Sequence, residues 1–382
     1  MTDAQIRGWC PGALRPMASG DGLIVRIRPR AGVLSAAQAK GIALAAQAHG
    51  NGMLDLTGRG NLQLRGVTVQ SHPALLEAID ALDLLDHDIR SEAQRNIVIT
   101  PFWHADDGTG ALALRLEHAL EDVHQLPAKF GFAIDIGRER VLAGVSADIR
   151  LERTAQGDLM IRADGADFGT AVSMEAAVPG MIALAQWFLS SGASQTGRGR
   201  MAKHFASGHR PGDATQAPAP CAPPAKPGLC EQGALVGFAF GQIQAATLLA
   251  LATLGPIRMT PWRMLLVEGI RTMPDLPDLI TCADDPLRAV TACTGAPGCP
   301  QAAGETRALA RALAPFVPEG AHLHVSGCVK GCAHPLATPL TLVATAMGFD
   351  LVCHGNAQAK PHWHGLSAHA LLAKPDLLTG AL

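Results

Sequence analysis

The chain has 382 residues and a formal net charge of −2, long enough for two or three domains around a large core. A balance this close to neutral argues against a general nucleic-acid or membrane-surface role. The nine cysteines, with no basic and apolar leader in MTDAQIRGWCPG, fit a reducing cytoplasm; no apolar run approaches the length of a membrane span. The opening segment at 7–21, RGWCPGALRPMASGD, is rich in Gly and Pro, and its Cys10 reads as a packed loop thiol or as a group near an active site. Residues 22–30, GLIVRIRPR, alternate apolar and basic side chains, the period of a half-buried strand. Arg26, Arg28 and Arg30 share its other face, and Arg26 and Arg28 read most simply as solvated charges. Ser35 is placed to cap a helix over 36–49, with Gly50 as its C′ glycine. MLDLT at 53–57 and NLQLRGV at 61–67 form a strand pair around Gly58-Arg59-Gly60, which puts Arg59 at the tip and Gln63 and Arg65 on one strand face.

A helix at 72–84 and the strand NIVITPF at 96–102 follow, then a helix at 111–124 leading into LPAKFGFAID at 126–135. Strands are expected at 140–150 and 157–163, and helices at 174–190 and 196–206. Residues 207–229 are rich in Pro and Ala, the composition of an extended, mobile linker. The second half then restarts the first: a strand from Gly233, a helix at 243–254, and IRMTPWRMLLVEG at 257–269 beside LDLTGRGNLQLRG at 54–66. Thr57 to Gly66 spans nine residues, as does Thr260 to Gly269. Two related α+β units packed pseudo-symmetrically are implied. The second copy has Trp262 and Glu268 where the first has Arg59 and Arg65, so only the first is equipped for anions there. The division expected is 1–206 as the first half, 207–229 as linker and 230–382 as the second half.

The second half carries four cysteines in two tight pairs, Cys293/Cys299 and Cys328/Cys332, with five and three residues between the sulfurs. Gly295, Gly298, Gly327 and Gly331 surround them. Four thiolates converging on backbone that comes close to inorganic sulfide suit a 4Fe–4S cluster. Zinc, which favours shorter knuckles, and unrelated thiols are the competing readings. A helix is expected from Pro300, a strand at 322–325, and a closing hairpin at 341–353 joined at Gly348.

The paired CxxxxxC and CxxxC, the duplicated α+β plan and the TxRxxxQ hairpin resemble the nitrite and sulfite reductases that use siroheme and a 4Fe–4S cluster. Further wording resembles one branch, the precorrin-3B synthases: RGWCPGALRPMASGDGLIVRI, LTGRGNLQLRG, LPAKFGFAID, ACTGAPGCPQA and VSGCVKGCAHP. The match covers about 7–352. The resemblance implies an α+β fold of two reductase-like halves with mixed sheets flanked by helices. It also implies a cluster on Cys293, Cys299, Cys328 and Cys332. Arg59, Gln63, Arg65, Arg95, Asn96 and Lys129 then become substrate-binding, with Lys129 a candidate to position a carboxylate or donate a proton. Gly131 stands where sulfite reductases have a second lysine, which counts against sulfite. The implied reaction is hydroxylation of precorrin-3A at C20 with O2 and closure of a γ-lactone, in aerobic cobalamin biosynthesis. Reducing equivalents would come from NADH through a separate reductase. A mononuclear non-haem iron is also implied, for which His334 and the pairs His322/His324 and His362/His364 are the available imidazoles. The alternative is a siroheme-dependent nitrite or sulfite reductase, in which Cys332 bridges to siroheme.

Overall fold

The computed structural model describes residues 10–194, 198–212 and 214–379. Four sheets carry the described residues. The first is β1 (Met17–Ser19), β2 (Gly22–Ile27), β5 (Leu62–Val67), β4 (Met53–Leu56) and β13 (Gln242–Gln244), antiparallel throughout. The second is β11 (Gly228–Cys230), β12 (Gly233–Phe238), β15 (Met264–Glu268), β14 (Ile257–Met259) and β3 (Val33–Leu34), also antiparallel, with β16 (Leu279–Ile280) beside β12. The third runs β6 (Ile97–Ile99), β7 (Phe132–Asp135), β8 (Ile149–Arg153), β9 (Leu159–Ala163) and β10 (Thr170–Ala171); its first three strands are parallel. The fourth repeats that plan with β17 (Val290–Ala292), β18 (Leu323–Ser326), β19 (Thr338–Thr345), β20 (Gly348–Gly355) and β21 (Trp363–Leu366).

Each half therefore owns one antiparallel sheet and one mixed sheet, and the expected α+β architecture of two related halves is present. The mixed sheets expected of each half are the third and the fourth. The repeat extends to backbone detail. Each half leaves its long strand through a short 3-10 turn with a left-handed residue at its centre, Ala31 (φ 48°) in one and Phe240 (φ 59°) in the other. The strand after that turn crosses over: β3 pairs with β14 of the second half, and β13 pairs with β4 of the first. The core shows the same exchange. Val25, Ile27, Leu54, Leu62 and Leu64 pack in one cluster with Val236, Leu265, Val267 and the helix residues Leu248 and Leu251.

The helix at Ala36–His49 forms as expected, with Ser35 and Gln38 in a capping box. Gly50 is extended (φ −125°) rather than left-handed; a side chain there would meet the Arg65 carbonyl at 2.5 Å. Three expectations shift. Residues 140–148 form turns and only Ile149–Arg153 is strand. The helix expected from Pro300 begins at Arg307, because the cysteine loop continues to Thr306. The helix expected at 196–206 is Met201–Ala206, and 195–197 lie outside the described residues. The Pro/Ala-rich stretch is extended but pinned to the edge of the third sheet. Ala219 donates to the Arg153 carbonyl at 2.9 Å, and Arg140 to that of Pro220 at 2.9 Å.

Candidate functional site

The register of the first sheet decides what meets what. Val25, Ile27, Leu62 and Leu64 point into the core, so their neighbours share the opposite face. Arg26 lies across from Gln63, and Gln63 across from Asp55; Arg65, two residues on, completes a polar face. Arg26 and Arg28 are 8% and 4% exposed, so the reading of both as solvated charges is corrected. Burial arises because the opening segment folds back over them.

Glu92 is the anchor of that segment. It pairs with Arg28 at 3.1 Å and accepts from the backbone N–H groups of Ala13 and Leu14. Any Cβ at residue 12 would collide with the Glu92 carboxylate, which explains Gly12. Burial pushes the Glu92 carboxyl up, against the pull of Arg28. Arg26 donates its backbone N–H to the Gly12 carbonyl at 3.1 Å. Cys10 lies near enough to Arg26 to oppose the lowering of that guanidinium by burial.

Arg59 sits at the hairpin tip, as expected, and donates Nη2 to the Lys129 carbonyl at 3.1 Å. Burial lowers both Arg59 and Arg26 from the usual arginine value, and the Cys10 thiol opposes that lowering in each. Asn96 braces the same loop from below, donating to the carbonyls of Ala128 (3.3 Å) and Phe130 (3.2 Å). The Lys129 side chain itself is exposed. Arg95 is turned away: it forms a two-pronged pair with Asp86 (2.9 and 2.8 Å) and donates to the Arg28 carbonyl.

Arg65 is engaged as well, by Asp21 at 2.7 Å and Asp55 at 3.5 Å. Its Nη2 also donates to the Gly298 carbonyl at 3.4 Å, where Ser19 and Gly20 donate too. Arg307, from the helix that follows the cysteine loop, reaches back to Asp55 at 3.2 Å. The polar face of the first sheet thus runs from Arg26 and Gln63 to the loop bearing Cys299. The second half braces the other cysteine loop through Arg263, which donates to the Ala333 carbonyl at 3.2 Å.

The two cysteine loops leave the C-terminal ends of the parallel strands β17 and β18. Gly327 donates its N–H to Cys293 Sγ at 3.1 Å, and a Cβ on Gly327 would crowd that sulfur and Ala302. Burial pushes the Cys332 thiol up; Cys328, Cys293 and Cys299 add to the rise, while Lys330 opposes it. All four sulfurs therefore share one electrostatic neighbourhood. No group of three or more His, Cys, Asp or Glu among the described residues gathers to hold a single metal ion. A cuboidal cluster asks for a wider set, because each thiolate binds a different iron. Four thiolates, a backbone N–H aimed at sulfur and glycine where the loops pass close together fit such a cluster.

Of the imidazoles, His322, His324 and His334 come together, with ring centroids 5.5 and 5.8 Å apart along the two pairs that include His334. His322 and His324 are lowered to about 4 by burial. His322 bonds Thr291 at 2.9 Å, and neither ring nitrogen of the buried His324 has a hydrogen-bond partner among the described residues. His362 and His364 do not converge; His364 pairs with Asp350 at 3.2 Å, and His362 packs on Trp363. A separate cavity of about 770 Å³ opens beside Trp187, Phe205 and Arg210 and touches none of the residues singled out from sequence. Sequence reading missed Arg200, Asp148 and Glu92, which bind partners far along the chain and stand in no recognisable motif.

The chain is similar to several known proteins. Residues 15–82 match the nitrite/sulfite reductase ferredoxin-like half domain. A precorrin-3B synthase from Sinorhizobium sp is 33% identical over 93% of this chain and 84% of its own. A ferredoxin–nitrite reductase from Synechococcus elongatus is 31% identical over 33% of this chain and 27% of its own. The structure of Mycobacterium tuberculosis NirA superposes with a TM-score of 0.64 at 17% identity, over 93% of this chain and 79% of that one, a likeness of fold.

Proposed function

The chain belongs to the precorrin-3B synthase family, enzymes of cobalamin biosynthesis, and from that premise we propose that it oxygenates precorrin-3A. In the proposed reaction one atom of O2 enters the macrocycle as the C20 hydroxyl. The other leaves as water, consuming two electrons and two protons. The ring A acetate carboxylate adds to the neighbouring ring carbon as the C=C bond between that carbon and C20 is consumed, closing the γ-lactone with no further oxidant. The electrons come from NADH through a separate reductase.

The observation that carries this reading is the continuity of one polar sheet face from buried, incompletely partnered arginines to the cysteine loop. A polycarboxylated tetrapyrrole has the chemistry to answer it, because planar guanidinium groups take carboxylates on two prongs. In this account Arg59 and Gln63 meet the substrate, and the Lys129 ammonium is free to swing onto a carboxylate. Arg65, Arg95 and Asn96 contribute through the frame they brace. A 4Fe–4S cluster held by Cys293, Cys299, Cys328 and Cys332 would supply single electrons. We assign no ligands to a mononuclear iron. The division into halves at 1–206 and 230–382, joined by 207–229, is part of the same proposal, with β3 and β13 exchanged between them.

Absorption and iron–sulfide analysis of anaerobically purified protein test it. The expected result is a broad cluster shoulder, about four irons and four sulfides per chain, and conversion of added precorrin-3A in the presence of reductant and O2. Stoichiometric siroheme with its strong Soret band, or no conversion by cluster-loaded protein, would overturn the reading.

A further inference from the structure

The cysteine loop between β17 and the helix Arg307–Leu313 is held from the first half at two points, and one carboxylate joins them. At Gly298, next to Cys299, the carbonyl accepts from Ser19 Oγ at 2.6 Å, the Gly20 N–H at 3.0 Å and Arg65 Nη2 at 3.4 Å. At the far end Thr306 donates its hydroxyl to the Cys293 carbonyl at 2.7 Å, and the next residue, Arg307, reaches back to the first sheet. Asp55 there gives one oxygen to each guanidinium: Oδ1 to Arg307 at 3.2 Å and Oδ2 to Arg65 at 3.5 Å.

The set is balanced and largely buried. Arg65 and Arg307 bring two positive charges; Asp55, and Asp21 at 2.7 Å from Arg65, bring two negative ones. The side chains of Arg65, Asp55 and Arg307 are 6%, 12% and 18% exposed. Merely fastening two halves together does not call for charge, because packed apolar side chains of similar volume do it as well or better. Charges so little screened by water act on whatever charge lies beside them. Here the neighbour is the loop bearing Cys293 and Cys299. A 4Fe–4S cluster on four thiolates is anionic, gains one more negative charge on reduction, and takes its potential from the charges and donors around it.

We propose that Asp55, with the two guanidinium groups it joins, sets the reduction potential of the cluster. Asp55, Arg65 and Arg307 are positioning residues in this account, and none of them is a ligand. The inference rests on the cluster that the functional reading assigns to Cys293, Cys299, Cys328 and Cys332. The sign follows from charge. Without the Asp55 carboxylate the set gains one positive charge, which favours the reduced cluster. Without the Arg307 guanidinium it gains one negative charge, which favours the oxidised cluster. A purely mechanical pair behaves differently, since either substitution breaks the same contact and loosens the same loop.

The test is a redox titration, followed by electron paramagnetic resonance, of the full-length protein purified anaerobically with its cluster. Asp55→Asn should raise the ratio of reduced to oxidised cluster at a fixed potential about tenfold, an upward shift of about 59 mV for one electron. Arg307→Gln should lower that ratio by a similar factor. The double variant, balanced again, should lie within about threefold of wild type. Arg307→Lys keeps the charge without the fork and should lie within about twofold. Iron and sulfide content reports cluster loading separately. If Asp55→Asn does not load, the two variants at the more exposed Arg307 decide, since Gln should shift the potential and Lys should not. Shifts of the same sign in Asp55→Asn and Arg307→Gln, or ratios within about twofold of wild type in both, would overturn the inference and leave the cluster in place. So would loss of the cluster from both Arg307 variants, which makes the contact a fastening only. If the wild-type chain carries no iron–sulfur cluster, the functional reading fails along with the inference.

Discussion

At the scale of single residues, the site is a problem of buried charge. Arg28 and Glu92 are each about 4% exposed in their side chains, and a buried pair is costly to break because one charge is left behind. Glu92→Ala should therefore lower stability by about 3–5 kcal/mol in chemical denaturation. It should also release the backbone of Ala13 and Leu14 and so loosen Cys10 over Arg26. A loss under about 1 kcal/mol would mean that the opening segment is held by something else. The cysteines give a second residue-level expectation. Cys299→Ser should abolish the cluster absorbance and the turnover together, while the fold, braced at Gly298 by Ser19 and Arg65, keeps its circular dichroism. Retention of cluster and activity would remove Cys299 from the ligand set. Hairpin tip, cysteine pairs and the capped first helix were all legible in the sequence, since each is written in neighbouring residues. Arg65 and Arg95 were legible as arginines but not as engaged ones. Their partners Asp21, Asp55 and Asp86 are common residues whose proximity only the folded chain creates.

At the scale of elements, the third sheet carries a titration. Burial pushes the Asp135 carboxyl up to about 7 from 3.8, despite the bond from the Leu142 N–H at 2.7 Å. Its other oxygen has no hydrogen-bond partner among the described residues. The folded chain thus holds this proton more tightly than the unfolded chain. The contribution to stability is complete below about pH 4 and is lost as pH rises toward about 7. Asp135→Asn should remove that decline, stabilising by on the order of 1–4 kcal/mol at pH 8 and by little near pH 4. Equal effects at both pH values would contradict the assignment. The strand–helix order was readable from periodicity, and the misplacements have physical causes. At 140–148 the alternating pattern belongs to a turn that Asp135 and Arg150 tie down, with Arg150 donating to the Leu142 and Val145 carbonyls. After Pro300 the helix waits until Arg307 because Thr306 is drawn to the Cys293 carbonyl at 2.7 Å.

At the scale of the whole molecule, the halves are interlocked. The duplication was visible in the matched spacing of Thr57–Gly66 and Thr260–Gly269, but the exchange of β3 and β13 was not. Strands of two and three residues carry too little pattern to say which sheet they join. Because the exchange and the shared core cross the boundary, residues 1–206 alone should show no cooperative unfolding transition, and co-expression with 207–382 should restore one. A sharp transition in the isolated half would show that the exchange adds little. The interlock also sets the polar face of the first sheet, through Arg65 and Ser19, against the cysteine loop at Gly298, and the functional claim depends on that placement. Its most direct test is mass spectrometry of the product formed from precorrin-3A by cluster-loaded protein under isotopically heavy O2. The account predicts a hydroxylactone carrying one heavy oxygen atom, with the second heavy atom in water. Unlabelled product, or none while nitrite or sulfite is reduced by the same preparation, would contradict it.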